Sequence, residues 1–307
     1  MSGASAEKSS GATDDLSAVV VAWNTRELLL ACLASLEREA ARAGLTLQTI
    51  VVDNASTDGT AEAVRAGFPG VRLIPQSENR GFSAASNLGI RAAHGRAVLL
   101  LNPDTELQSG SLGALWRALH AMPHVGLVGA LLLNPDGSLQ SAGYRFPGLA
   151  QQFLDFFPLH PRLAGSRLNG RFSSGDGLTP FAVDHPLGAC MLVRREAIAE
   201  VGLLDEGYFM YSEEIDWCRR LKGAGWTILT APAARVIHHG GQSTGQVSRP
   251  MLIELHRSRA RYFRRHDPRV LGPSAWLARA AARRGGERAD ALREAARLYR
   301  EAAGANG

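Results

Sequence analysis

Residues 17–106 alternate between short apolar strands and amphipathic helices, and this alternation limits the fold more than any other feature of the chain. Four apolar runs of strand length occur here, at 17–22, 46–52, 71–74 and 97–101. Each of the first three is followed by a polar turn and then by apolar residues at helical spacing. This β-α-β-α-β-α-β order predicts an α/β fold with a mostly parallel sheet and helices on both faces.

Polar side chains follow three of these strands at the point where each strand ends. They are Asn24 after the first strand, Asp53 and Asn54 after the second, and Asn102 and Asp104 after the fourth. Ligands of such sheets bind beyond the carboxyl ends of the strands, so these side chains should lie at one edge. Asn and Asp also begin helices after strands, which is an ordinary explanation for any one cluster. The three clusters together predict a site for a nucleotide, a metal ion or both.

Three acidic residues, Glu213, Glu214 and Asp216, fall in the first turn of a predicted helix whose cap is Ser212. The helix dipole favours acids at this end, which accounts for one or two of them. The aromatic segment 208–211 leads directly into the helix, and a carboxylate beside apolar rings has a raised pKa because it is partly desolvated. Such a group is suited to accept a proton from a substrate.

Two adjacent histidines, His238 and His239, end a predicted strand at 234–237. Successive side chains of a strand point to opposite faces, so at most one of the two should enter a site. A single histidine is usually structural, but the one that enters the site could bind a metal ion together with Asp104, which lies at another strand end.

Composition and cysteine content set broad limits on the class of protein. The chain has 307 residues, of which 45% are hydrophobic and 21% charged, as in soluble globular proteins. Cys32, Cys190 and Cys218 form no CxxC pair and are expected to be reduced. The apolar run 125–133 is too short to span a bilayer, and no signal-type segment follows Met1. We therefore expect a cytoplasmic protein.

Six ordered motifs between residue 17 and about residue 265 resemble glycosyltransferase family 2, and in particular its rhamnosyltransferase-like bacterial branch. The motifs are VVVAWN at 19–24, VVDNASTDG at 51–59, NRGFSAASN at 79–87, LNPD at 101–104, SEEID at 212–216 and VIHHGG at 236–241. The resemblance implies a GT-A fold and transfer of a sugar, with inversion, from a nucleotide diphosphate donor. It further implies a dTDP- or UDP-linked donor, with dTDP-L-rhamnose as the first expectation, and a hydroxyl of a glycan or lipid-linked acceptor.

The resemblance also implies a role for individual residues in binding the donor. The residues expected to contact the nucleotide sugar are Val21, Trp23, Asn24 and Asn102. Asp53 or Asn54 is expected to hold the nucleotide base, and Gly81 and Asn87 are expected to lie near the ribose and the diphosphate.

The same resemblance implies which residues bind the metal ion and which residue is the catalytic base. Asp104 matches the last acid of the family's DXD motif and His238 an additional ligand, so both are expected to bind Mg²⁺ or Mn²⁺. Asn102 stands where the first acid of that motif would be. Glu214 takes the place of the catalytic base, and Asp216 is the alternative.

These assignments divide the chain into a disordered leader at 1–16, a GT-A domain at 17–245 and a basic helical extension at 246–307. Within the domain we expect a nucleotide-sugar-binding half at 17–106 and an acceptor and catalytic half at 107–245. From Met251 onward the chain has 13 arginines against 6 acidic residues, which accounts for all of its net charge of +5. The extension could contact anionic lipid at the inner face of the membrane, pack on the domain, or join two copies in a homodimer. Nucleic acid is not an expected partner, because stacking aromatics are not interleaved with the arginines.

Two other classes of protein compete with a transferase. The segment 241–245 matches the GxSxG pattern of serine hydrolases, whose partners could only be Glu254 with His256 or His266, and the strands that carry such partners are missing. A non-catalytic nucleotide-sugar-binding protein is the second alternative, and Asn102 is its best argument. The sequence contains no GxxxxGK[ST] motif, and no GxGxxG opens the first βα unit.

Overall fold

One mixed β-sheet forms the centre of the computed structural model, which describes residues 14–157, 160, 163, 166–240, 248–286 and 288–304. The strands are β1 (Leu16–Ala22), β2 (Leu47–Asp53), β3 (Arg72–Pro75), β4 (Ala97–Leu101), β5 (Thr105–Leu107), β6 (Val125–Leu133), β7 (Leu139–Ser141), β8 (Phe181–Ala182), β9 (Cys190–Arg194) and β10 (Thr227–His238). Their order is β3-β2-β1-β4-β9-β6-β10-β5, with β7 paired to β6 and β8 to β10.

Helices cover both faces of this sheet and also form a separate layer at the C-terminal end. They are α1 (Arg26–Ala43), α2 (Thr60–Gly67), α3 (Phe82–Ala92), α4 (Ser111–His120), α5 (Leu149–Phe156), α6 (Arg195–Val201), α7 (Glu213–Gly223), α8 (Ser248–His266), α9 (Leu271–Ala282) and α10 (Ala289–Gly304). None of the described helices is long and apolar enough to cross a lipid bilayer.

The first half of the sheet confirms the predicted βα alternation. Strands β3, β2, β1 and β4 are parallel neighbours, and β1 is buried along its whole length. Val20 packs in the core under α1 and α4, whereas Val19 and Val21 pack in the core under α3 and α7. Burying one such side chain stabilises the fold by about 1.5–3 kcal/mol, so a run buried on both faces fixes β1 at the centre.

The second half of the sheet brings distant parts of the chain to the same edge. β9 runs antiparallel between β4 and β6, and β10 runs parallel to β6. β10 also pairs antiparallel with β5, in a register that sets His238 opposite Thr105. This register places His238 next to the turn that carries Asp104.

The segment 146–183 contains more regular structure than the sequence suggests. Its Pro, Gly and aromatic content is typical of irregular structure, but it includes the helix α5 and the short strand β8. Phe156 of α5 is buried, while Leu149 and Phe153 are exposed.

The helices α8, α9 and α10 pack on the rest of the molecule through a third apolar cluster. This cluster joins Phe263, Leu271 and Tyr299 of the extension to Phe156 of α5 and Tyr208 of the loop before α7. Ala295 and Tyr299 of α10 are therefore covered by the chain itself.

Candidate active site

A cavity of about 230 Å³ opens at the carboxyl ends of the central strands, beside the N-terminus of α7. Seven of the residues predicted from the sequence line it: Val21, Trp23, Asn54, Asn102, Asp104, Glu214 and His238. Other residues complete its wall, among them Asn79, Phe82, Leu187, Gly188, Met210, Tyr211 and Glu213.

Asp104 and His238 bring a carboxylate oxygen and an imidazole nitrogen together inside this cavity. His238 Nε2 lies 3.3 Å from Asp104 Oδ1, and both side chains are about nine-tenths buried. The backbone N–H of His239 donates to the carbonyl of Asp104, which fastens the two strand ends together. Two neighbouring ligands of an octahedral divalent ion are about 3 Å apart when each lies about 2.1 Å from the ion. The pair therefore fits one Mg²⁺ or Mn²⁺.

The pair is incomplete as a metal site made by protein alone. Among the described residues no group of three His, Cys, Asp or Glu side chains is placed to hold a metal ion. Asn102, which has an uncharged amide side chain, lines the same cavity. The backbone carbonyl of Asn102 accepts a hydrogen bond from the Thr105 hydroxyl, which closes the turn. Mg²⁺ is usually held by one or two carboxylates together with substrate phosphates, so a diphosphate could supply the missing ligands.

Glu213 and Glu214 begin α7 and bring two buried carboxyl groups to the cavity. Their exposed fractions are 6% and 9%, and neither Oε2 atom has a hydrogen-bond partner among the described residues. Burial raises the pKa of Glu214 to about 7. Burial and, next, the charge of Glu214 raise the pKa of Glu213 well above its usual range. With a pKa of about 7, the Glu214 carboxylate is a competent proton acceptor near neutral pH.

The backbone that leads into α7 is strained. Tyr211 and Ser212 have φ values of 68° and 65°, and the only other non-glycine residues with positive φ in the described chain are Asn24 and Ala55. All four lie near the ends of β1 and β2 or directly before α7. Ser212 occupies the predicted N-cap position, but its side chain makes no capping hydrogen bond. Strain of this kind costs about 1–3 kcal/mol per residue and is concentrated at functional sites.

Asp216, the alternative base, lies outside the cavity. It is completely buried and forms ion pairs with Arg220 at 2.8 Å, His266 at 2.8 Å and Arg265 at 3.2 Å. Burial alone would raise the pKa of Asp216, but hydrogen bonds from His266 and Arg220 outweigh it and hold that pKa below its usual range. This geometry gives Asp216 the role of joining α7 to α8.

The family model for glycosyl transferase family 2 matches residues 17–202, which is more than half of the chain. The chain belongs to glycosyltransferase family 2.

Two relatives of this chain are named as sugar transferases. The N-acetylglucosaminyl-diphospho-decaprenol L-rhamnosyltransferase of Mycobacterium tuberculosis is 33% identical over 87% of this chain and 90% of its own length. The dTDP-rhamnosyl transferase RfbF of Shigella flexneri is 22% identical over 70% of this chain and 67% of its own.

Solved structures agree on the fold. The mannosyltransferase PcManGT of Pyrobaculum calidifontis, solved with GDP-Man and Mn²⁺, superposes with a TM-score of 0.57 at 18% identity. The match covers 96% of this chain and 87% of that one. The GT-A fold of this glycosyltransferase is thereby confirmed.

Four residues predicted to bind the nucleotide do not line the transferase cavity. Asn24 Oδ1 accepts from the N–H of Thr57, and Asp53 Oδ1 accepts from the N–H of Ser56, so both order the loop after β2. Gly81 and Asn87 are the other two.

Asn87 and Gly81 instead position other segments of the transferase. The Asn87 side chain pairs with the backbone N–H and carbonyl of Leu204, which ties α3 to the loop before α7. Gly81 has φ +81°, and a Cβ there would lie 2.4 Å from the carbonyl oxygen of Phe209. Only glycine lets these two loops approach so closely.

Sequence reasoning missed Asn79, Phe82 and Gly188 in the cavity wall. Asn79 Oδ1 accepts hydrogen bonds from Asn54 Nδ2 at 2.8 Å and from the N–H of Gly81 at 3.0 Å. Asn79 is the first residue of the NRGFSAASN motif, so the motif contained the signal for it. The sequence does not tell an asparagine that holds a loop in place from one that lines a binding site. Gly188 packs against the side chain of Glu214, which no local pattern indicates.

The residues suggested for a hydrolase are engaged elsewhere or lie outside the description. The GxSxG segment 241–245 falls outside the described residues. His256 stacks on Phe156 at 5.2 Å and approaches the Tyr299 hydroxyl, and His266 contacts Asp216.

Proposed function

We propose that this glycosyltransferase transfers L-rhamnose from dTDP-L-rhamnose to a hydroxyl of a lipid-linked glycan, with inversion and with the help of a divalent cation. One observation carries the proposal: Asp104, His238 and Glu214, whose buried Oε2 atom has no hydrogen-bond partner among the described residues, line one cavity. Two of these groups suit a cation and the third suits proton transfer, which are the functions that sugar transfer from a nucleotide diphosphate needs.

The donor is expected to lie against the carboxyl ends of β1, β2 and β4. Val21 and Trp23 offer apolar surface, while Asn54 and Asn79 offer amide groups in the same wall. Rhamnose as the sugar and dTDP as the nucleotide are proposed because the relatives from M. tuberculosis and S. flexneri carry these words in their names.

The cation site belongs to Asp104 and His238. A divalent cation bound there supplies positive charge that neutralises the negative charge developing on the leaving diphosphate. Asn102 leaves this turn with a single carboxylate, so the diphosphate itself is expected to complete the site. We expect Mg²⁺ and Mn²⁺ both to serve, because the ligands are one oxygen and one nitrogen.

Glu214 is proposed as the general base. The acceptor hydroxyl oxygen forms a bond to the anomeric carbon, its proton passes to Glu214, and the bond from that carbon to the diphosphate oxygen breaks with its electron pair. A single displacement of this kind inverts the anomeric configuration. Burial and the charge of Glu214 raise the pKa of Glu213, which favours its neutral form and so reduces repulsion beside Glu214.

We propose that residues 17–106 form the donor half of the enzyme and 107–245 the acceptor and catalytic half. The extension at 246–307 completes the fold. For a lipid-linked acceptor we propose contact with anionic membrane through the outer face of α9. There Trp276 is 69% exposed, and Arg279 and Arg283 follow it at spacings of three and seven residues on the same face.

A donor screen tests the proposed function. Purified protein is incubated with dTDP-L-rhamnose, UDP-glucose or GDP-mannose, together with N-acetylglucosaminyl-diphospho-polyprenol and either Mg²⁺, Mn²⁺ or a chelator. We expect product only with dTDP-L-rhamnose, loss of product with the chelator, and an inverted anomeric centre by NMR. Activity that survives the chelator would contradict the cation site, and donor binding without any transfer would favour the non-catalytic alternative.

A further inference from the structure

The ring of His238 is held at Nδ1, the nitrogen that does not face Asp104. Its Nδ1 atom lies 2.6 Å from Oε1 of Gln140, a residue of β7 that is remote in sequence and does not line the cavity. Gln140 comes into reach because β7 and β10 both pair with the end of β6, at Leu132 and Leu133.

The amide of Gln140 can face His238 in only one orientation. Its Nε2 atom donates to the backbone carbonyl of His238 at 3.0 Å and to Asn134 Oδ1 at 3.0 Å. Both amide hydrogens are thereby used, and the acceptor oxygen Oε1 is left for the ring. Since Oε1 cannot donate, Nδ1 of His238 must carry the proton.

The direction of these hydrogen bonds is fixed at their far end by a carboxylate. Asn134 Nδ2 donates to Ser138 Oγ at 2.9 Å, and the Ser138 hydroxyl donates to Asp136 Oδ1 at 2.6 Å. The hydrogen bonds from Ser138 lower the pKa of Asp136, so this exposed carboxyl group is ionised and only accepts. Each link therefore runs the same way, from His238 through Gln140 and Asn134 to Asp136.

We infer that Gln140 is a positioning residue that holds His238 as the Nδ1–H tautomer, so that the lone pair of Nε2 points at Asp104. An imidazole lone pair opposite a carboxylate oxygen at 3.3 Å calls for a positive charge between them. The proposed cation meets this need. Partners of this kind orient metal-binding histidines and typically change metal affinity 10–100-fold.

The tautomer is measured directly in the metal-free protein, independently of any enzymatic activity. Two-bond ¹H–¹⁵N correlation spectra at pH 8 distinguish the two ring nitrogens, and the His238 signals are assigned by their loss in His238→Gln. We expect Nδ1–H in the wild type, a shift towards Nε2–H in Gln140→Leu, and Nδ1–H again in Gln140→Glu, which restores an acceptor.

Affinity for Mn²⁺ in the presence of dTDP, measured from free Mn²⁺ by electron paramagnetic resonance, is the second readout. Gln140→Leu should weaken binding by about 10-fold or more. Gln140→Glu should recover most of it. The matched control is Gln108→Leu, because the side chain of Gln108 donates to the carbonyl of Glu106 and makes no other hydrogen bond among the described residues, so both readouts should stay unchanged.

Two results would overturn the inference: an Nε2–H tautomer in the wild type, or an unchanged tautomer in Gln140→Leu. The inference rests on the proposed function only through its second readout. If the tautomer responds as expected while no variant and not even the wild type binds Mn²⁺, the proposed cation site fails and the role of Gln140 stands.

Discussion

At the scale of single residues, three acids within four positions of α7 have three different environments. Glu214 is buried with its Oε2 atom unpaired, Glu213 is buried beside Glu214, and Asp216 is buried among the partners Arg220, Arg265 and His266. The pKa values of Glu213 and Glu214 are raised and that of Asp216 is lowered, and such differences let neighbouring carboxyl groups take separate roles in one enzyme. This arrangement favours Glu214 over Asp216 as the base.

The protonation of Glu214 predicts the pH dependence of transfer. Its pKa is raised from an ordinary value of 4.5 to about 7, and the base must be ionised. We expect kcat/KM to rise about tenfold per pH unit below pH 7 and to level off above it. Glu214→Gln should lower kcat about 10²–10⁴-fold while dTDP-L-rhamnose still binds. A pH profile that stays flat from pH 5 to 8 would contradict the assignment.

The same raised pKa affects stability in the opposite sense. Folded protein keeps a proton on Glu214 between pH 4.5 and about 7, where the unfolded chain has lost it. The free energy of unfolding contributed by this group therefore falls as pH rises through that window.

Sequence analysis reached those site residues whose position follows from a strand end. Asn54, Asn102 and Asp104 enter the cavity because parallel strands bring their carboxyl ends to one edge. It could not separate Glu214 from Asp216, since the residues that pair with Asp216, such as Arg265, arrive from a helix about 50 positions later. Gln140 was invisible for the same reason, because its importance depends on pairing to β6.

At the scale of elements, α8 supports the loop that leads into α7 and its proposed base, Glu214. Ser258 donates to the carbonyl of Met210, and Arg261 makes a two-point contact with Asp205. Together with the ion pairs of Asp216, these contacts hold residues 205–216 against α8. Helix α8 therefore supports the part of the chain that carries the proposed base.

The joint between α7 and α8 predicts how Asp216→Asn behaves. Removing one partner of a buried ion pair typically costs about 3 kcal/mol of unfolding free energy. Because hydrogen bonds lower the pKa of Asp216, its stabilising contribution is present above pH 4 and is lost as pH falls through its folded-state pKa. Chemical denaturation should show this loss, whereas kcat of the folded fraction stays within a few-fold of wild type.

Asp267→Asn is the matched control, since the ion pair of Asp267 with Arg269 is solvent-exposed and should matter little for stability. If Asp216→Asn abolished turnover in fully folded protein while Glu214→Gln remained active, the roles of the two acids would have to be exchanged.

The outer face of α9 predicts binding to anionic lipid. Trp276→Ala and Arg279→Glu should each reduce co-sedimentation with phosphatidylglycerol vesicles, with little change for phosphatidylcholine. Leu178→Ala removes an equally exposed apolar side chain, 70% exposed, at a loop and serves as control. Equal vesicle binding by all four proteins would remove the proposed membrane contact.

At the scale of the whole molecule, the extension and the catalytic domain share one apolar cluster. Tyr208 is 1% exposed and Phe263 is fully buried, although one precedes α7 and the other lies in α8. Sequence analysis predicted a basic helical extension, and α8, α9 and α10 confirm that its described part is helical. The sequence could not show that the extension is covered by the domain, because amphipathic spacing is the same for a face that meets protein and a face that meets lipid.

A chain shortened to residues 1–245 is therefore expected to lose its fold and its donor binding. Its exposed aromatic cluster should bind 8-anilinonaphthalene-1-sulfonate, and its thermal transition should broaden or vanish. A cooperative transition and normal binding of dTDP-L-rhamnose by the shortened chain would show that the extension is dispensable.

The most direct measurement of the central claim is a crystal structure of the wild-type protein with dTDP and Mn²⁺, with anomalous scattering used to locate the metal. We predict one Mn²⁺ bound by Asp104 Oδ1, His238 Nε2 and the diphosphate, in the cavity that Glu214 also lines. Mn²⁺ and diphosphate bound away from Asp104 and His238, or a bound nucleotide outside that cavity, would contradict it.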